Sequence, residues 1–208
     1  MTVSHAMDFP AAEYEARLER ARKLMEERGL DALLVSEPSN YRYFVGYDQP
    51  FGAAWNGYIL TRPFLCLVPR SGRPTLLVHL SFENATRHST WIQDVRTWSS
   101  LPFRAEYLVD LLRDAGLDGG AVVGVELGED QRLGFPVQAF LDLGRALPSV
   151  RFVDCADILW RLRIRKSPAE IECIRNACLI MHEAYEKTFR QAGIGFTEKD
   201  VDLHLRRN

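Results

Sequence analysis

The strongest constraint in this chain lies late, at Arg163-Ile164-Arg165-Lys166-Ser167-Pro168-Ala169-Glu170, where a basic strip runs into a helix-start signal. Ser167 is placed to accept the backbone N–H of Glu170, and Glu170 to reach back to Ser167. Pro168 at the first helical position gives up only a donor that has no partner there anyway. Ile171, Ile174, Cys178, Met181, Tyr185 and Phe189 then recur at helical spacing, so a long amphipathic helix follows. After Gly193-Ile194-Gly195, Thr197-Glu198-Lys199-Asp200 starts another helix. About 160 residues precede the junction, enough for one compact domain, whereas the roughly 40 after it are too few for a core of their own. The expected division is therefore 1–162 and 163–208.

Within the first part, Ala11 to Arg28 carries alternating charge, with Leu18, Ala21, Leu24 and Met25 on one side and Gly29 positioned as a left-handed stop. Asp31 to Ser36 reads as a strand covered on both faces, because Ala32-Leu33-Leu34-Val35 is apolar without alternation. A short helix is expected from Glu37-Pro38-Ser39-Asn40 through Phe44, ending at Gly46. Strands are expected at Tyr58–Thr61, Phe64–Val68 and Thr75–His79, where tight intervening turns favour antiparallel pairing. Further on, the pattern predicts helices over Phe82–His88, Phe103–Ala115, Phe135–Ala146 and Ala156–Arg161. Strands are predicted over Ile92–Thr97, Ala121–Glu126 and Arg151–Val153. Hairpin strands followed by strand–helix alternation define a layered α/β domain with a mixed sheet.

Two stretches together carry a family resemblance. Arg165-Lys166-Ser167-Pro168-Ala169-Glu170-Ile171-Glu172-Cys173-Ile174-Arg175-Asn176-Ala177 resembles the entry to the catalytic domain of the pita-bread metallopeptidases, the family of aminopeptidase P, prolidase and creatinase. Gly29-Leu30-Asp31-Ala32-Leu33-Leu34-Val35, followed by Asn40-Tyr41-Arg42-Tyr43-Phe44-Val45-Gly46-Tyr47, resembles the opening of the family's N-terminal domain. The resemblance implies a three-layer α/β/α, ribonuclease-H-like domain over 1–162. It makes 163–208 the linker and first helices of a truncated catalytic domain. It also implies that the family's metal ligands, two Asp, one His and two Glu, lie beyond Asn208. The chain itself would then hold no catalytic residue and no cofactor. Two divalent metals (Mn, Zn or Co) are implied only for a full-length relative.

Searching the residues themselves for chemistry supports that division. HExxH, a Walker glycine loop and a Gly-x-Ser-x-Gly elbow are all missing from the sequence. Asp200, Asp202 and His204 would share a face if they lay on a strand, but the Thr197 cap argues for a helix, where Asp202 turns away from the other two. His182 and Glu186 read as a surface pair, His79 as a hydrogen-bonded core or edge histidine, and Asp154 as an N-cap. Glu126-Leu127-Gly128-Glu129-Asp130 follows a strand, a place where α/β sheets hold ligands, but its composition favours a solvated turn.

The stretch least explained by either periodicity is Tyr47 to Gly57. Tyr47, Phe51 and Trp55 are the candidate substrate-gating residues, because large aromatic groups left in water usually mark an interface. Packing beneath the loop is the competing reading.

A net charge of -2 gives no electrostatic reason to expect nucleic acid or an anionic membrane as partner. No apolar run is long enough for a membrane span and no signal-like segment opens the chain, so a cytoplasmic protein is expected. Cys66, Cys155, Cys173 and Cys178 show no paired spacing and are expected to be reduced and mostly buried. By resemblance the full-length form is a homodimer acting on a peptide or small amide-type substrate. It would be an Xaa-Pro peptidase-like hydrolase to which this portion supplies dimer contacts and substrate gating. The alternatives are a protein-binding module of a pseudo-enzyme and a creatinase-like amidinohydrolase acting on a small non-peptide substrate.

Overall fold

The computed structural model describes residues 7–47, 62–100 and 102–207. The chain divides into two compact units, Met1–Arg163 and Ile164–Asn208. In the first unit the helices are α1 Ala11–Arg28, α2 Pro38–Val45, α3 Glu83–Ser89, α4 Glu106–Asp114, α5 Val137–Ala146 and α6 Ala156–Ile164, the last reaching one residue past the division. The strands are β1 Ala32–Val35, β2 Leu65–Pro69, β3 Thr75–His79, β4 Asp94–Trp98, β5 Val122–Val125 and β6 Arg151–Asp154. The strands form one six-stranded sheet in the order β4-β3-β2-β1-β5-β6. β2 runs antiparallel to both neighbours and every other pairing is parallel. The sheet is therefore mixed, and the antiparallel β2–β3 pair forms across the tight Arg70–Pro74 connection as expected.

Alternation along the strands assigns side chains to two cores. Leu33, Val35, Cys66, Val68, Leu76 and Val78 face one side, under α1, α2 and α6. Ala32, Leu34, Leu65, Leu67, Leu77, Val123 and Val125 face the other, under α4 and α5. Both faces of β1 are buried, which explains its unbroken apolar run. This is the expected three-layer α/β/α arrangement. The α1 helix ends where Gly29 adopts φ 64°, with its N–H bonded to the Glu26 carbonyl and that of Leu30 to Met25. One α1 residue departs from its stripe: Arg17 is buried, donating to the Tyr43 carbonyl at 2.9 Å with its guanidinium 4.4 Å from the Tyr43 ring centre.

Some boundaries differ from expectation. α4 begins at Glu106, and Phe103 instead turns into the core against Trp98, ring centres 4.9 Å apart. A 3-10 turn at Leu80–Phe82 precedes α3. The expected strand Tyr58–Thr61 lies outside the described residues.

In the second unit, α7 Pro168–Gln191 opens with the full capping box: the Glu170 N–H donates to Ser167 Oγ at 3.2 Å, and the Ser167 N–H donates to Glu170 Oε2 at 2.8 Å. α8 spans Glu198–Arg207. Ile174, Met181, Tyr185 and Phe189 on α7 are exposed. Cys173 and Cys178 are exposed as well, whereas Cys66 and Cys155 are buried, so the expectation of mostly buried cysteines holds for only half of them. Both exposed cysteines lie on α7, where only Ala184 and Thr188 are buried.

Candidate functional site at the carboxyl edge of the sheet

Since β2 alone runs the other way, the C-terminal ends of β1, β3, β4, β5 and β6 share one edge, joined there by the start of β2. The connections from β1 and β5 leave in opposite directions, towards β2 and β6, which opens a crevice between two parallel strand ends. Ser36 and Glu126 are the first residues past those ends.

Glu126 fills the crevice. It is 1% exposed. Its Oε2 accepts the Ser36 N–H at 2.6 Å, the Ser36 hydroxyl at 2.8 Å and the Glu37 N–H at 2.8 Å. Its Oε1 accepts Asn40 Nδ2 at 2.9 Å. The same Asn40 amide donates to Gln131 Oε1 at 2.8 Å, and Asn40 Oδ1 accepts Arg163 Nη1 at 2.7 Å. Burial pushes the Glu126 carboxyl above its ordinary range, and the donors from Asn40, Glu37 and Ser36 pull it back only in part. The 128–134 segment closes over this network, with the Gly134 N–H donating to Ser36 Oγ at 3.0 Å. A Cβ on Gly134 would stand 2.3 Å from the Ser36 carbonyl oxygen, so only glycine lets the segment approach so closely.

The expectation of a solvated turn at 126–130 is therefore corrected for Glu126, while Glu129 and Asp130 are exposed as expected. The residues of this network, Ser36, Glu37, Asn40, Gln131 and Arg163, are scattered along the chain and form no spacing pattern. The one available signal was that two apolar strands each end in a polar residue.

A second cluster occupies the β3–β4 end of the edge. His79 is 7% exposed, and its Nδ1 accepts the Ser81 N–H at 3.2 Å. Its ring meets Trp98 edge-on at 4.7 Å and Phe82 at 6.5 Å between centres. The Arg62 guanidinium lies 5.9 Å from the Phe82 ring centre. Burial first, then the positive charge of Arg62, push the His79 imidazole below its ordinary value. With Nδ1 accepting, the neutral ring carries its hydrogen on Nε2.

Of the three gating candidates, Tyr47 is buried within the core on the α1–α2 side. Phe51 and Trp55 lie outside the described residues. The Asp200-Val201-Asp202-Leu203-His204 stretch is helical, and its side chains part company. Asp200 accepts from Thr197, Asp202 pairs with Arg206 at 2.9 Å, and His204 Nδ1 lies 2.9 Å from Gln191 Oε1. Glu186 pairs with Arg190 at 3.0 Å. Asp154 Oδ1 accepts the Ala156 N–H at 3.1 Å, as a cap at the start of α6 should. Among the described residues no group of three or more His, Cys, Asp or Glu could hold a metal, so these residues do not fit a two-metal centre. No helix among them is long and apolar enough to cross a membrane.

With this geometry in view, comparison with known proteins is unambiguous about kinship. Residues 17–165 match the Creatinase/Prolidase N-terminal domain, and the chain belongs to that family. It is 30% identical over 181 residues to the ectoine hydrolase of Halomonas elongata, covering 83% of this chain and 42% of that protein. An uncharacterised hydrolase/peptidase of Sinorhizobium fredii is 28% identical over 204 residues, 94% of this chain and 49% of its own. The fold is that of prolidase from Thermococcus sibiricus, with TM-score 0.75 at 16% identity, over 93% of this chain and 48% of the prolidase. The chain thus spans about half the length of the curated relatives it matches.

Proposed function

We propose that this chain is the N-terminal, non-catalytic portion of a C–N-bond hydrolase, and that it contributes dimer contacts and substrate gating to a metal-dependent half. The single observation that carries the reading is the family match over 17–165, on a chain spanning 42% and 49% of its hydrolase relatives. The described residues lack a metal-ligating cluster, so the chemistry of two divalent metals, polarising the scissile carbonyl and activating water, is assigned to the remaining half. Within this portion Tyr47, Phe51 and Trp55 are assigned to gating. The substrate is a peptide or small amide-type compound. The likeness to an ectoine hydrolase favours a second reading within the same class, a small non-peptide substrate.

Replacing Trp55 with Ala in a full-length form tests the gating role. Substrate preference and dimer affinity are expected to shift, and if both stay unchanged the role is lost. Separately, the 208-residue chain is expected to hydrolyse nothing. Stoichiometric uptake of manganese or zinc with peptide turnover by this chain alone would overturn the division of labour.

A further inference from the structure

We propose that the amino edge of the sheet, at the other end of the strands from Glu126, holds a binding site for a small zwitterion of the amino-acid type, with Arg70 taking its carboxylate and Asp31 its ammonium group. β1 and β5 begin at this edge and the antiparallel β2 ends there, which places Asp31, Arg70 and Ala121 side by side. Between them and the turn after α4 lies a cavity of about 370 Å³, whose walls include Asp31, Arg70, Ser71, Gly116, Gly119 and Gly120. That volume falls within the roughly 300 to 1,000 Å³ of small-molecule sites. The walls are mostly charged side chains and glycine backbone, so the ligand they suit is small and polar.

One ligand can reach both charges because they already touch. Arg70 Nη2 donates to Asp31 Oδ1 at 2.8 Å, and Asp31 Oδ2 accepts the Val122 N–H at 2.9 Å, which fixes the carboxylate against the sheet. Those bonds exhaust neither residue: a guanidinium carries a fork of several donors, and each carboxylate oxygen accepts more than one bond. Both side chains are partly open to solvent, Arg70 at 45% and Asp31 at 31%. A lone carboxylate drawn to Arg70 meets the like charge of Asp31 beside it, and a lone ammonium group at Asp31 meets that of Arg70. A molecule carrying both charges close together engages the pair without that repulsion. Gly119 adds the room. Its φ is not left-handed and a Cβ there would meet nothing within 4 Å, so neither the backbone nor the packing asks for glycine at this point of the wall.

The test follows the backbone amides of Gly119, Gly120 and Val122 by NMR in the 208-residue chain, titrating L-alanine, with sodium acetate and methylammonium chloride as separate arms at matched ionic strength. L-alanine is expected to give saturable shifts at these amides, and each single-charge probe to bind about tenfold more weakly, as loss of one charge-assisted contact should cause. Arg70→Gln is expected to weaken L-alanine binding by a similar factor, and its partly exposed pair with Asp31 contributes little to the fold. Gly119→Ala, which fills part of the cavity without touching a neighbour, is expected to weaken it too. Shifts linear in L-alanine, or a binding curve that neither variant alters, overturn the site. Acetate or methylammonium binding as tightly as L-alanine overturns its assignment to a zwitterion. None of these readouts depends on turnover or on the gating residues, so failure here and failure of the gating role are told apart.

Discussion

Glu126 and His79 are both buried titratable side chains at the same sheet edge, and they differ in what is left over. Every oxygen of Glu126 is committed: four hydrogen bonds reach it from Ser36, Glu37 and Asn40, and Asn40 passes the connection on to Arg163. His79 has one nitrogen satisfied by Ser81 and one N–H without an acceptor among the described residues. A buried polar group with all its valences met specifies structure, because removing it strands its partners. One tied by a single hydrogen bond strands less when it is removed. How much structure a buried group holds lies in the accounting of its hydrogen bonds, not in burial or residue type alone.

The comparison is broken most directly at Glu126. Glu126→Ala orphans the donors of Ser36, Glu37 and Asn40, and is expected to lower unfolding stability by about 3 kcal/mol in urea titration. A loss comparable to that of an exposed substitution would mean water replaces the carboxylate without cost. Gly134→Ala attacks the same network through its lid, and is expected to cost about 2 kcal/mol as the Ser36 backbone is forced aside. At the other end of the edge, His79→Gln is expected to cost only ~1 kcal/mol, the bond to Ser81 being its one side-chain hydrogen bond among the described residues.

Acid sharpens the contrast because the two groups respond with opposite sign. The folded chain holds the His79 proton more weakly than the ordinary value of 6.5. Stability from this group is therefore present above 6.5 and lost as pH falls through the lowered folded value. Glu126 is raised above its ordinary 4.5, so its contribution is present below 4.5 and lost as pH rises through the folded value. Stability measured against pH should accordingly lose its His79 slope in His79→Gln, and lose the opposing one in Glu126→Gln. Slopes unchanged in both variants would show that neither group is linked to folding. The smallest effect is chemical: Cys173 and Cys178 should label rapidly with a thiol reagent. Cys66 and Cys155, buried with their thiols pushed upward, should react only on unfolding.

Much of the scaffold was legible because it is written in local terms. The capping box at Ser167, the left-handed stop at Gly29 and the apolar run of β1 each follow from a few adjacent residues. The limits of α1 and β3 fall where the sequence put them. Phe103 was misread as helical because its apolar character fits a helix stripe and a core plug equally well, and only the presence of Trp98 decides between them. The carboxyl edge was the least legible part. Glu126 sits in an acidic pentapeptide that looks solvated, and its partners Ser36, Glu37 and Asn40 reach it only when β1 and β5 pair in parallel. His79 and Trp98 are likewise brought together by the pairing of β3 with β4, about which spacing carries no information.

The reversal of β2 has a consequence for how such a molecule diversifies. In an all-parallel sheet each chain segment would reach this rim only once, on leaving a strand. A single strand running backwards supplies one arrival as well, ending at Arg62-Pro63. New lengths of polypeptide can be spliced in ahead of that arrival, and new chemistry presented there, without disturbing any pairing register. Lineages sharing this sheet thus have a position at which chain length can change while the framework stays as it was.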